Sequence, residues 1–104
     1  MTPDQAAMVD FLRQQYADGI DRARSIGNML ITEGASRLGI PAGNAEEQAR
    51  DDLRAAETRA RFFDETVVPY LGTAGPTGRI ADIQLRLLAD EHRGAPDYRE
   101  EWRP

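Results

Sequence analysis

His92 is the single histidine of the chain, and it stands beside Asp90 and Glu91. An imidazole next to carboxylates is the minimum material for a general base. A base also needs a nucleophile to serve, and no serine or threonine sits at a spacing that pairs with it. His92 falls near the expected C-terminus of a helix, where the helix dipole favours the protonated ring. The structural role is the stronger reading.

Glu46, Glu47, Asp51 and Asp52 form an acidic cluster. Helical bundles hold divalent metals with carboxylates that converge from facing helices. Glu47 and Asp51 share a helix face at i, i+4, which supplies half of such a site. The second half is lacking, because Asp82 and Asp90 are too far apart to form one i, i+3 or i, i+4 pair. Glu46 and Glu47 also fall in the first turn of a helix, where acids are favoured electrostatically in any case. A small all-α, metal-dependent nucleotide hydrolase is therefore the weakest reading kept open. Gly72, Gly75 and Gly78 lie in a helix-to-helix turn with no strand before them and no lysine, which disfavours a phosphate-binding loop. No HExxH, GxSxG or zinc-finger pattern occurs, and the absence of cysteine removes thiolate chemistry and disulfides. No catalytic, cofactor-binding or metal-ligating residue is assigned, and no cofactor is expected.

The elements that would position these groups are helical. Thr2-Pro3-Asp4-Gln5 is a helix start, with Thr2 as cap, Pro3 at the first position and Gln5 returning a bond. Met8, Leu12, Tyr16, Ile20, Ala23, Gly27 and Leu30 then repeat at helical spacing, which predicts a helix over 3–32, with Gly27 as its weak point. Glu33 to Gly43 reads as a connecting loop, with a short turn at Ser36, Arg37 and Leu38. Asn44, followed by Glu47, starts a second helix over 45–68. Along it Ala49, Leu53, Ala56, Ala60, Phe63, Val67 and Tyr70 alternate spacings of four and three, the pattern of a helix–helix seam. Pro69 should end or kink that helix. A third helix over 77–93 carries Ile80, Ala81, Ile83, Leu85, Leu87 and Leu88 around half its circumference. That breadth predicts the most buried helix, held between two others or at a dimer interface. Gly94 and Pro96 stop it. The expected architecture is a single all-α domain over 1–104, a helical hairpin or bundle with a C-terminal aromatic tail over 95–104.

The chain has 104 residues, 13 arginines, no lysine and 18 acids, a formal net charge of −5. Its arginines alternate with Asp21, Asp51, Asp52 and Glu57, so they read as a salt-bridged, solvated surface and not as a basic patch. Nucleic acid is not an expected partner. No window approaches the ~20 apolar residues that span a bilayer, and Met1 to Asp10 has no signal-peptide pattern, so a cytoplasmic setting is expected. The alanine-rich helix faces make a thin core, which favours self-association.

The most distinctive segment is the tail, Pro96-Asp97-Tyr98-Arg99-Glu100-Glu101-Trp102. A helical turn from Pro96 would put Tyr98 and Trp102 on one side. Folded back, the two rings clasp the core; turned outward, they anchor a partner. With Leu85-Arg86-Leu87-Leu88-Ala89 before it, this tail resembles the C-terminal signature of an uncharacterised protein family of actinobacteria and their phages. Val9-Asp10-Phe11-Leu12-Arg13 and the helix Arg50 to Leu71 are loosely similar to the same family. Members tend to carry histidines before the middle helix and just before the tail, where this chain has Gly43-Asn44-Ala45-Glu46 and Ala95. The resemblance implies an accessory gene of a phage or mobile element and supplies no mechanism. The leading expectation is a non-enzymatic module that binds another protein, with a self-assembling homodimeric bundle as the alternative.

Overall fold

The computed structural model describes residues 1–37 and 39–104, the side chain of Ala35 excepted. The protein is all-α, with no strand among the described residues. Its helices are α1 (Pro3–Arg37), α2 (Ala42–Thr66) and α3 (Pro76–Asp90), with 3-10 turns at Val68–Tyr70 and Glu100–Trp102. Among the described residues no helix is long and apolar enough to cross a membrane. The contacts gather into two compact units. One joins Met1–Gln15 to Arg61–Pro104, and the other is Tyr16–Ala60.

The start of α1 is the capping box that its sequence predicts. The Thr2 backbone N–H donates to Gln5 Oε1 at 2.9 Å, and the Gln5 N–H donates to Thr2 Oγ1 at 3.1 Å. At the other end α1 passes the expected stop at Thr32 and continues to Arg37 without a break at Gly27. The reason lies in packing. A Cβ at Gly27 would come within 3.1 Å of Ala49 Cβ, and one at Gly34 within 3.6 Å of Ala45 Cβ. Both glycines are places where α2 approaches closely, and that contact offsets their poor helix propensity. The chain turns at Gly39, whose φ of +67° suits glycine, while the Ile40 N–H bonds the Gly34 carbonyl at 3.0 Å. Of the short turn expected at Ser36, Arg37 and Leu38, the first two residues belong to α1, and Leu38 lies outside the described residues.

Helix α2 begins at Ala42, earlier than expected, because the Pro41 carbonyl accepts the first helical bond from Ala45 N–H at 3.0 Å. Asn44 therefore sits inside the helix and not at its cap. Within the Tyr16–Ala60 unit, α1 and α2 form an antiparallel hairpin whose buried residues are small or aliphatic: Gly27, Leu30, Gly34, Ala45, Ala49 and Ala56.

In the other unit Pro69 acts as expected. It lacks the N–H a helix needs, so α2 stops at Thr66 and the chain tightens into the 3-10 turn Val68–Tyr70. The core there contains Met8, Leu12, Phe63, Val67, Leu85 and Trp102, all nearly inaccessible. Val9 and Phe11 join it, so α1 buries a wider arc here than the single stripe read from the sequence. Helix α3 starts behind Gly75 (φ +77°) with Pro76 in its first turn. Gly78 is obligatory: a Cβ there would lie 1.9 Å from the Thr73 carbonyl oxygen. The helix ends at Asp90, short of the expected Arg93, and hydrogen-bonded turns carry the chain through His92 and Arg93 to Ala95.

Candidate functional site

The tail is a clasp. Trp102 is 1% exposed, and its ring centroid stands 5.3 Å from Phe11 and 5.7 Å from Tyr98. Tyr98 meets Trp102 edge-on, and meets Phe11 at 6.1 Å. These are favourable aromatic geometries. The expected C-terminal helical turn forms, but later than Pro96: Arg99 is extended, the 3-10 turn Glu100–Trp102 follows, and the Trp102 backbone N–H bonds the Arg99 carbonyl at 3.0 Å. The Arg99 guanidinium lies over the indole at 5.3 Å. Two polar atoms are sealed in this cluster: neither Tyr98 Oη nor Trp102 Nε1 has a hydrogen-bond partner among the described residues.

His92 belongs to the same cluster, its ring edge-on to Phe11 at 6.4 Å. It packs beyond the last turn of α3, with its N–H on the Ala89 carbonyl at 3.0 Å. Phe11 is thus the residue around which the tail and the α3 terminus assemble. Sequence reasoning placed Phe11 only within the family resemblance, because the stripe through Met8 and Leu12 leaves it off the main apolar face.

The α2 seam turns inward. Ala49 and Ala56 are buried in the hairpin unit, with Leu53 and Ala60 half-buried; Phe63 and Val67 are fully buried in the other unit. Glu46, Glu47, Asp51 and Asp52 are all exposed. Among the described residues no three His, Cys, Asp or Glu side chains are grouped as a metal would need.

Helix α3 does not bury the whole of its broad apolar arc, as a helix held between two others would. Its inward face is Gly78, Ala81, Leu85 and Ala89, small residues around one leucine. Ile80, Ile83 and Leu87 face outward and are 55%, 56% and 54% exposed. The broad apolar arc therefore divides into a buried face of small residues and an exposed face of large ones. Periodicity could not make that division, because it counts apolar residues without weighing their size.

Beside this exposed face runs a polar network. Gln5 Nε2 donates to Asp82 Oδ1 at 3.1 Å, and Arg86 Nε donates to Asp82 Oδ2 at 3.1 Å. Burial alone would push the Asp82 carboxyl up, but those two hydrogen bonds and the Arg86 charge together hold it below its ordinary value. A cleft of about 700 Å³ opens next to the network, bordered by Gly75, Arg79, Asp82 and Ile83. Arg79 is exposed and has no side-chain partner among the described residues. Comparison with protein-family models, curated proteins and solved structures gives no match.

Proposed function

We propose that the protein is a non-enzymatic interaction module that docks an amphipathic helix of another protein on the outer face of α3. The observation that carries this reading is the exposure of Ile80, Ile83 and Leu87, large aliphatic residues at i, i+3 and i+7 on one helix face. That spacing receives the apolar stripe of a partner helix. Arg79, at the mouth of the adjoining cleft with no side-chain partner among the described residues, calls for a carboxylate on the partner beside its apolar residues. The reading moves the contact surface from the tail to α3, since Trp102 is enclosed by its own chain. Exposure of Glu47 and Asp51 supports the non-enzymatic part of the proposal. The tail's resemblance to the actinobacterial and phage family supports an accessory role in a mobile element.

The test is a photo-crosslinker placed at Gln84, with capture from an actinobacterial lysate compared across variants. A partner cross-linked through an amphipathic helix, and lost in both Ile83→Glu and Arg79→Glu, supports the proposal. A partner captured equally well by Ile83→Glu refutes it. If the cross-link instead joins two copies of this chain, and light scattering shows a dimer that Ile83→Glu dissolves, self-assembly replaces it.

A further inference from the structure

The hairpin unit contains a second cleft, of about 450 Å³, between α1 and α2. Its floor is the contact of Gly27 with Ala49, where the lack of side-chain bulk leaves a trough between two closely packed helices. With the helices antiparallel about that contact, Arg24 and Leu53 lie one turn to one side of it. Ile31 and Glu46 lie one turn to the other, and Arg50 stands beside the floor. Arginines therefore reach the same trough from opposing helices.

Neither arginine is ion-paired among the described residues. The ion pairs of the described chain use Arg13, Arg37, Arg54, Arg61, Arg86, Arg93 and Arg103, and leave out Arg24 and Arg50. Glu46 is one turn before Arg50 on the same face and still does not pair with it. Carboxylates are plentiful in a chain with 18 acids and 13 arginines. Yet these two like charges share a trough whose bordering carboxylate, Glu46, pairs with neither, which leaves their mutual repulsion uncompensated. A bound oxyanion reverses it, because guanidinium groups grip carboxylate or phosphate through paired, charge-assisted hydrogen bonds. Apolar surface lies within reach of such an anion: Ile31 is 48% exposed, and Leu53 is half-buried.

We propose that this cleft binds a small organic anion, a carboxylate or phosphate head on an apolar body. Arg24 and Arg50 hold the head, and the body lies over the Gly27–Ala49 floor toward Ile31. Glu46 at the far end repels a second negative group, so the site selects ligands charged at one end only. The site belongs to the hairpin unit and is independent of the α3 docking face.

The experiment titrates the isotopically labelled full chain with octanoate, octyl phosphate, inorganic phosphate, octanedioate and octylamine, following backbone amides by NMR. Octanoate or octyl phosphate should give saturable shifts confined to residues 24–31 and 46–53, and the tighter of the two identifies the head group. Octanedioate and inorganic phosphate should bind more weakly, the first because of Glu46 and the second for want of a body. Arg24→Gln and Arg50→Gln should each weaken binding about tenfold, with unchanged thermal midpoints as the control for folding. Equal shifts with octylamine, no saturable shift with either anion, or undiminished binding in the double variant would overturn the proposal.

Discussion

The side-chain amide of Gln5 reaches the carboxylate of Asp82 at 3.1 Å, across 77 residues of sequence. Gln5 is already the returning partner of the α1 capping box, so one side chain both closes the start of α1 and fastens it to α3. The carboxylate's other oxygen is held by Arg86 at 3.1 Å. A local helix-start signal and a tertiary contact share a residue, which ties formation of the cap to docking of α3.

Stability should depend on pH through Asp82. Its folded-state pKa is depressed, by hydrogen bonds and the Arg86 charge that together exceed the cost of burial. A depressed carboxyl stabilises the fold fully above its unfolded pKa, about 3.9, and loses that contribution as pH falls through the lower folded value. Asp82→Asn should cost about 1 kcal/mol at neutral pH, with a deficit that shrinks below about pH 4. Denaturant melts of both proteins across this range would measure it. A deficit that stayed constant down to strong acid would show that the carboxylate charge contributes nothing.

Two glycines should respond in opposite directions to alanine. Gly78→Ala drives a Cβ to 1.9 Å from the Thr73 carbonyl oxygen, which is backbone and cannot swing aside, so a loss of more than about 2 kcal/mol is expected. Gly19 has open space around its would-be Cβ within α1, so Gly19→Ala should gain about 0.5–1 kcal/mol. Thermal midpoints decide both, and equal effects would contradict the packing described at Thr73.

Capping, periodicity and proline positions were enough to read the all-α class, the three helices and the stop before Pro69, because those signals act within a few residues. The boundaries that moved were decided by contacts between helices. Gly27 read as the weak point of the first helix and Gly34 as part of the connecting loop, yet each is a seat for an alanine of α2. The outward turn of Ile80, Ile83 and Leu87 was illegible for a different reason. Two faces of α3 are apolar, and only the volume left beside Ala81, Leu85 and Ala89 determines which one is covered. Arg24 and Arg50 looked like members of a salt-bridged surface, since spacing shows which acids are near and not which of them pair.

Arg13 and Asp64 bring α1 to the end of α2 at 3.0 Å, with both side chains about half exposed. Exposed pairs of this kind contribute little, so Asp64→Asn should change stability by less than about 1 kcal/mol, and high salt should erase the difference. A larger, salt-resistant loss would mean that the pair is shielded from solvent.

The tail makes the sharpest separation between burial and hydrogen bonding. Trp102→Ala empties a fully buried site against Phe11 and Tyr98 and should cost about 3–5 kcal/mol. Tyr98→Phe removes a sealed hydroxyl that has no partner among the described residues, while its ring contacts remain. Desolvating an unbonded hydroxyl is unfavourable, so this variant should be as stable as the parent or up to about 1 kcal/mol more so. Because Trp102 is the single tryptophan, its fluorescence reports on the clasp directly during the same melts. Loss of tail packing before the helices melt would make the tail a separate, weaker unit, whereas coincident transitions would make it part of the core. A strongly destabilised Tyr98→Phe protein would show that the hydroxyl is hydrogen-bonded in solution, and an unaffected Trp102→Ala protein would show that the tail is not docked.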